Sequence, residues 1–313
     1  MAQNGSRSVI DFTTYITKYS RAQIRSGLCG PHPASHLALV RCILVPGCTK
    51  QTDHFTGREW VFQALNDWLA KPDGSRCFLL TGKPGSGKTA FAARLAQFSQ
   101  GIVSPPDDFN CLNPNFLSAI HFCSARDRHW INPTTFAESL ALQLSSRYQV
   151  FAEALAEKRG DQRISIEVIQ HAASITGGQM TGILINKLDM SGILPEDAFN
   201  CGVREPMEVL LDKEPDKQVV VMVDALDEAL LYTGKVDIVS LLAQADNMSR
   251  NVRFILTSRK VERVEHAFRK ATGIFLSSKR YDVQNQEDIG HYVEGRLHHE
   301  ESLVWLTAKF KAG

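Results

Sequence analysis

Residues 60–69 place apolar side chains at Trp60, Val61, Ala64, Leu65, Trp68 and Leu69, the spacing of one helical face. Thr56 and Glu59 form a T-x-x-E capping box that predicts the helix start. Pro72 and the Asp73-Gly74 turn predict its end. Beyond them the period changes. Short apolar runs at 77–81 (CFLLT), 119–123 (AIHFC), 219–223 (VVVMV), 253–257 (RFILT) and 273–277 (GIFLS) read as strands. Helical patterns at 88–99, 134–148, 205–212, 235–249 and 260–270 separate most of them. Strands alternating with helices predict an α/β fold built on a parallel sheet with helices on both faces.

Other stretches carry weaker patterns. Pro31, Pro33 and Pro46 interrupt residues 1–50, which read as an irregular N-terminal arm. ISIEVIQHAASI (164–175) suits a helix, and TGGQMTGILINKLDM (176–190), punctuated by Gly177 and Gly178, suits a short extra hairpin. Near the C-terminus, Ile289, Tyr292, Val293 and Leu297 share one face of a helix capped near Asn285.

Composition narrows the function classes. The 313 residues carry 35 basic and 34 acidic side chains, net +1, which gives no bulk electrostatic reason for a nucleic-acid or anionic-membrane partner. Apolar residues reach 43%, enough for a sizeable core, and no run approaches the roughly 20 apolar residues that span a bilayer. Without an apolar leader at the N-terminus, the expected location is the cytoplasm. The seven cysteines (Cys29, Cys42, Cys48, Cys77, Cys111, Cys123, Cys201) have no paired spacing and read as reduced, buried thiols. His298 and His299 read as a solvated helix face rather than a metal site.

Candidate chemistry begins directly after the first strand. GKPGSGKT, residues 82–89, fits G-x-x-x-x-G-K-[ST] in full and opens the helix TAFAARLAQF. Gly82, Gly85 and Gly87 let the chain wrap tightly, so that backbone N–H groups face phosphate oxygens. The following helix directs the positive end of its dipole at the same anion. Lys83, Pro84, Ser86 and Ala90 complete the loop and the first helical turn. Lys88 is expected to reach the β and γ phosphates, and Thr89 to place a hydroxyl on Mg2+. In VVVMVDALDEA (219–229), Asp224 stands where an apolar run stops, the position of a carboxylate that holds Mg2+. RFILTSR repeats that geometry, bringing Thr257, Ser258 and Arg259 to the same sheet edge. Arg259 reads either as a sensor of the γ-phosphate or as a surface arginine.

Together these motifs resemble the NACHT group of STAND-class signalling ATPases, relatives of the AAA family. FTGRE (55–59), GKPGSGKT, VDALDEA and LTSR carry the resemblance, and AFNCGVREPMEVLL (198–211) adds to it. The resemblance implies a P-loop NTPase whose five-stranded parallel sheet has the order 5-1-4-3-2, counting the five strands along the chain. It implies a nucleotide-binding domain at 51–282, followed by the start of a helical region, apparently truncated, at 283–313. It further implies ATP/ADP and Mg2+ as ligands, with Gly57 and Arg58 near the adenine, and slow hydrolysis that operates a switch. Self-association and protein partners would act through further C-terminal regions.

Many AAA-type ATPases carry glutamate directly after the magnesium aspartate; here that residue is Ala225. Asp227 and Glu228 are the candidate bases, with neither preferred. Two other readings stay open: a conventional P-loop enzyme, such as a kinase or remodelling ATPase, and a non-catalytic module that holds ADP. The motif does not choose between ATP and GTP.

Overall fold

A computed structural model describes residues 55–71, 73–160, 164–175 and 178–299. The N-terminal arm, Pro72 and residues 300–313 therefore lie outside the described residues. The elements are α1 (Glu59–Leu69), β1 (Cys77–Thr81), α2 (Lys88–Ser99), β2 (Ala119–Phe122), α3 (Pro133–Arg147), α4 (Gln149–Ala156), β3 (Ser165–Ile175) and β4 (Gly178–Asp189). There follow α5 (Pro195–Phe199), α6 (Glu205–Lys213), β5 (Val219–Asp224), α7 (Leu226–Ala229), α8 (Ile238–Ala243), β6 (Val252–Ser258), α9 (Glu262–Ala267), β7 (Thr272–Phe275) and α10 (Asp282–His299).

Five strands form one parallel sheet in the order β2-β5-β6-β1-β7, and β3 pairs with β4 alone. The expected string 5-1-4-3-2 counted five strands, so its labels shift once the two hairpin strands are numbered. Strand β1 runs parallel to both neighbours, with Leu80 opposite Thr257 and Thr81 opposite Ser258 and Phe275. By internal contacts, the described residues divide into two units: 118–219 with 229–251, and 55–117 with 220–228 and 252–299.

The second unit holds the phosphate-loop motif. Helix α1 buries Val61, Phe62, Leu65, Trp68 and Leu69. Phe62 stacks on Phe91 of α2 at 4.6 Å between ring centroids and meets Phe98 at 5.3 Å. The fully buried Arg253 ends α1: its Nη1 donates to the carbonyls of Trp68 and Leu69 at 2.8 and 3.0 Å, and its Nη2 donates to Lys71 O. A cation at a helix C-terminus satisfies orphan carbonyls and opposes the negative end of the dipole.

The expected capping box at this helix does not form. Helix α1 starts at Glu59 with Arg58 as N-cap residue and no side-chain cap hydrogen bond. Gly57 and Arg58 both take positive φ, 78° and 69°, so the chain enters the helix by a left-handed turn that removes Thr56 from capping position. Helix α10 also departs from expectation. It begins at Asp282 rather than near Asn285, and Ile289, Tyr292 and Val293 are exposed.

In the first unit, Gln143 of α3 pairs with the middle of β2. Its side-chain amide accepts from Ile120 N and donates to Ile120 O, both at 2.9 Å. Strand β2 ends the sheet order, and this amide satisfies backbone groups that an edge strand otherwise leaves open. Asn132 caps α3 through Thr134 N and Thr135 N, with Pro133 at the first helical position.

The stretch 164–175, expected as a helix, is a strand from Ser165 onward. Its apolar residues find cross-strand partners: Ile166 opposite Leu188, Val168 opposite Ile185, and Ile169 opposite Leu184. Pairing settles a period too ambiguous to settle itself. The hairpin is correspondingly longer than expected, with β3 as one of its two strands. Of the cysteines within the described residues, Cys123 is buried while Cys77, Cys111 and Cys201 are half-buried, so burial of these thiols is only partial.

His121 and Glu138 are among the buried titratable groups of this unit. His121, between the rings of Phe136 and Trp130, hydrogen-bonds Trp130 O through Nε2, and burial lowers its pKa to about 4. Glu138 accepts a hydrogen bond from Met190 N at 2.6 Å, at the end of β4, and is pushed up to about 7 mainly by burial. Because the folded protein holds the Glu138 proton more tightly, the stabilisation is complete below pH about 4.5 and is lost as pH rises through about 7. Glu138→Gln keeps an acceptor for Met190 N without the charge. It is expected to be more stable than wild type at pH 8 by up to about 3 kcal/mol, with the gain shrinking toward pH 5. Urea midpoints of both proteins across that range measure it. Equal midpoints at pH 8 would contradict it.

Candidate functional site

Strand β1 delivers the chain to Gly82, and α2 begins at Lys88. Between them, Gly82 is buried. Lys83, Pro84, Gly85 and Gly87 are exposed, and Ser86, Lys88, Thr89 and Ala90 are half-buried. Gly85 and Gly87 take positive φ, 76° and 85°, which L side chains rarely adopt. At Gly82 the constraint is space: a Cβ there would lie 2.4 Å from Ser86 Oγ. Lys88 folds over the loop, with Nζ donating to Gly82 O at 2.9 Å and Lys83 O at 3.0 Å. Burial lowers the Lys88 pKa, against the opposing pull of Asp227 and Asp224.

Strand β6 stands beside β1, and Gly82 N donates to Ser258 O at 3.3 Å. Strand β5 lies on the other side of β6, so its last residue, Asp224, reaches the same edge. Asp224 is 2% exposed. The Thr257 hydroxyl donates to its Oδ1 and accepts from Ala225 N at 3.0 Å. The Thr89 hydroxyl donates to Asp224 as well. Burial raises the Asp224 pKa, opposed by the hydrogen bonds from Thr257 and Thr89 and by the charge of Lys88. The anticipated pair Thr89 and Asp224 is thus in direct contact.

Ala225 turns the chain out of β5 at φ 55°, a left-handed conformation for a residue with a Cβ, costing about 1–3 kcal/mol. The turn leads into the short helix α7, which carries Asp227 and Glu228. Asp227 binds Arg259 by both carboxylate oxygens: Oδ1 accepts from Arg259 N at 2.8 Å, and Oδ2 lies 3.1 Å from Nε. Glu228 is half-buried, one position further along α7. The Arg259 guanidinium is thereby anchored beside α7, with 55% of its side chain exposed.

Arg58 also reaches the loop. Arg58 Nη2 donates to Ser86 O at 3.2 Å. Its Nη1 donates to Asn285 Oδ1 and lies 3.4 Å from Asp288 Oδ2. Asp288 also accepts from Arg58 N at 2.9 Å and from Trp60 Nε1 at 3.2 Å. Trp60 stacks on Tyr281 at 4.5 Å. Asn285 donates to Leu276 O at 2.7 Å, and Lys83 N donates to Ser277 Oγ at 3.2 Å. Asp288 and Ser277 had no signal in the sequence, and Asn285 only that of a helix cap, because their partners lie far away along the chain.

The residues present fit an anion beside a divalent cation. The loop is held in a conformation that glycines permit, a lysine stands over it, and a hydroxyl and a carboxylate meet next to it. Among the described residues no group of three or more His, Cys, Asp and Glu side chains is placed to hold a metal by itself, so a cation here would need oxygens from its anion as well. Among the same residues no helix is long and apolar enough to cross a membrane.

A family model described as Nephrocystin 3, N-terminal, matches residues 57–177, from the Gly57-Arg58 turn through the phosphate-loop motif to β3. No curated protein matches the chain.

Proposed function

We propose that this chain binds a nucleoside triphosphate with Mg2+ in the manner of P-loop ATPases, hydrolyses it slowly, and works as a nucleotide-dependent switch of the NACHT type. The observation that supports this reading best is the junction of Thr89 and Asp224 beside the loop, with Thr257 holding the carboxylate. Similarity over residues 57–177 to the Nephrocystin 3 N-terminal region is compatible with it.

In this reading, backbone N–H groups of residues 85–89 and the Lys88 ammonium hold the phosphates. Thr89 and Asp224 would hold the metal, which supplies charge neutralisation to the phosphoryl group when bound. Lys88 would exchange the carbonyls of Gly82 and Lys83 for phosphate oxygens. ATP is preferred over GTP on the NACHT resemblance alone.

The base is assigned to Glu228. Both oxygens of Asp227 are committed to Arg259, so accepting a proton there would weaken an ion pair. Asp227 then serves to aim Arg259, the candidate γ-phosphate sensor. Glu228→Gln is expected to lower single-turnover hydrolysis of Mg·ATP at least tenfold while leaving its Kd within about threefold. Unchanged turnover in Glu228→Gln would remove it from the base role.

A further inference from the structure

Arg58 touches the phosphate loop from outside, through a carbonyl rather than through the amides that face the anion. Its Nη2 donates to Ser86 O, and the same peptide unit presents the Gly87 N–H. A cation on the carbonyl polarises that peptide and strengthens its N–H as a donor. What holds Arg58 in this position lies 230 residues away, on α10.

We propose that Asp288 is a positioning residue of the nucleotide site: it fixes Arg58 against Ser86 O, and through that peptide it tunes phosphate affinity. The proposal rests on the nucleotide-binding reading above.

Three observations carry it. Asp288 is buried, accepts from Arg58 N and Trp60 Nε1, and forms an ion pair with Arg58 Nη1 at 3.4 Å, so it holds one segment by three contacts. The approach is close enough that a Cβ on Gly57 would lie 2.5 Å from Asp288 Oδ1 and 2.9 Å from its Cγ. Arg58 itself sits in a left-handed conformation, φ 69°, that its fixed N–H to Asp288 helps to hold. Asn285 Oδ1 takes a share of Nη1 while its amide is bound to Leu276 O, so the guanidinium is oriented from two positions on α10.

The sign of the effect separates positioning from bulk charge. Removing an acidic residue near an anion site should tighten anion binding if charge alone matters. A positioning role predicts the reverse. Calorimetric titration of the full chain with Mg·ATP and Mg·ADP is the test, using wild type, Asp288→Ala, Asp288→Asn, Arg58→Ala and the double alanine variant. Asp288→Ala and Arg58→Ala are each expected to weaken Kd about tenfold. The double variant should lose little more than either, because both act through one contact. Asp288→Asn keeps one acceptor oxygen, which can still hold Arg58 N while the bond from Trp60 Nε1 is lost, and should lose only about threefold. In turnover, KM should rise while kcat stays within about twofold, the mark of lost uniform binding.

Nucleotide binding by wild type with an unchanged or tighter Kd in Asp288→Ala overturns the proposal and leaves the nucleotide reading intact. A lowered Tm with unchanged Kd does the same, reducing Asp288 to a structural residue. If Asp288→Ala fails to fold, Asp288→Asn decides, and an unchanged Kd there overturns it. Absence of binding by wild type overturns both.

Discussion

Replacing Lys88 with alanine is expected to weaken Mg·ATP and Mg·ADP binding at least 100-fold, about 2.7 kcal/mol or more. The ammonium already lies over the loop, bonded to Gly82 O, Lys83 O and, at 3.4 Å, Ser86 Oγ. Two of these acceptors are backbone carbonyls that the loop must keep turned from an anion, so a phosphate offers the cation a stronger partner. Burial has lowered the Lys88 pKa, which marks an ammonium partly stripped of water. The ligand-free variant should unfold close to wild type, because the bonds lost serve the loop and leave the buried residues of α2 in place. Thermal unfolding with and without nucleotide separates the two effects. The nucleotide-induced rise in Tm should vanish while the ligand-free Tm stays within a few degrees. A Kd within threefold of wild type would contradict the role given to Lys88.

Asp224→Asn is expected to act in opposite directions on stability and on function. The carboxylate is buried, and burial raises its pKa above the ordinary value. A carboxyl with a raised folded pKa stabilises most when protonated. That contribution is complete below the unfolded pKa of 3.8 and is lost as pH rises through the folded value. At neutral pH the charge is therefore a liability that a bound cation would offset. Asparagine keeps the shape and an acceptor for the Thr257 hydroxyl. The ligand-free Asp224→Asn protein should show a higher Tm at pH 7 and a flatter pH dependence. Its Mg2+-dependent turnover should fall at least 100-fold, the exchange of stability against function expected at an active site. Differential scanning calorimetry at pH 5 and 7, beside turnover over a Mg2+ series, measures both arms. A lowered Tm together with intact Mg2+ dependence would contradict the account.

How much of this was legible in the sequence depended on distance along the chain. Strand β1 and helix α2 match the expected 77–81 and 88–99, because strand, loop and helix are one local unit with its own signals. The acidic end of β5 and the threonine end of β6 were legible because each apolar run stops at a polar residue. Their meeting was foreseen from the rule that parallel strands deliver ligand groups to one edge. The first turn of α1 was misread for the opposite reason. T-x-x-E is a local signal, and a contact from Asp288 to Arg58 N is compatible with a left-handed entry that the local signal does not describe. Strand β3 was misread because Ile164, Val168 and Ile175 satisfy a helical spacing, and only pairing with the opposing residues of β4 overrides it. The apolar spacing on α10 did predict a helix, yet apolar periodicity alone did not tell whether Ile289, Tyr292 and Val293 would be covered.

The most direct test of the account is equilibrium titration of the full chain with ATP, ADP and GTP, each with and without Mg2+. The account predicts micromolar binding of adenine nucleotides, tightened by Mg2+ for ATP and weakened at least 100-fold in Lys88→Ala. Failure of a well-folded chain to bind any of the three would contradict it.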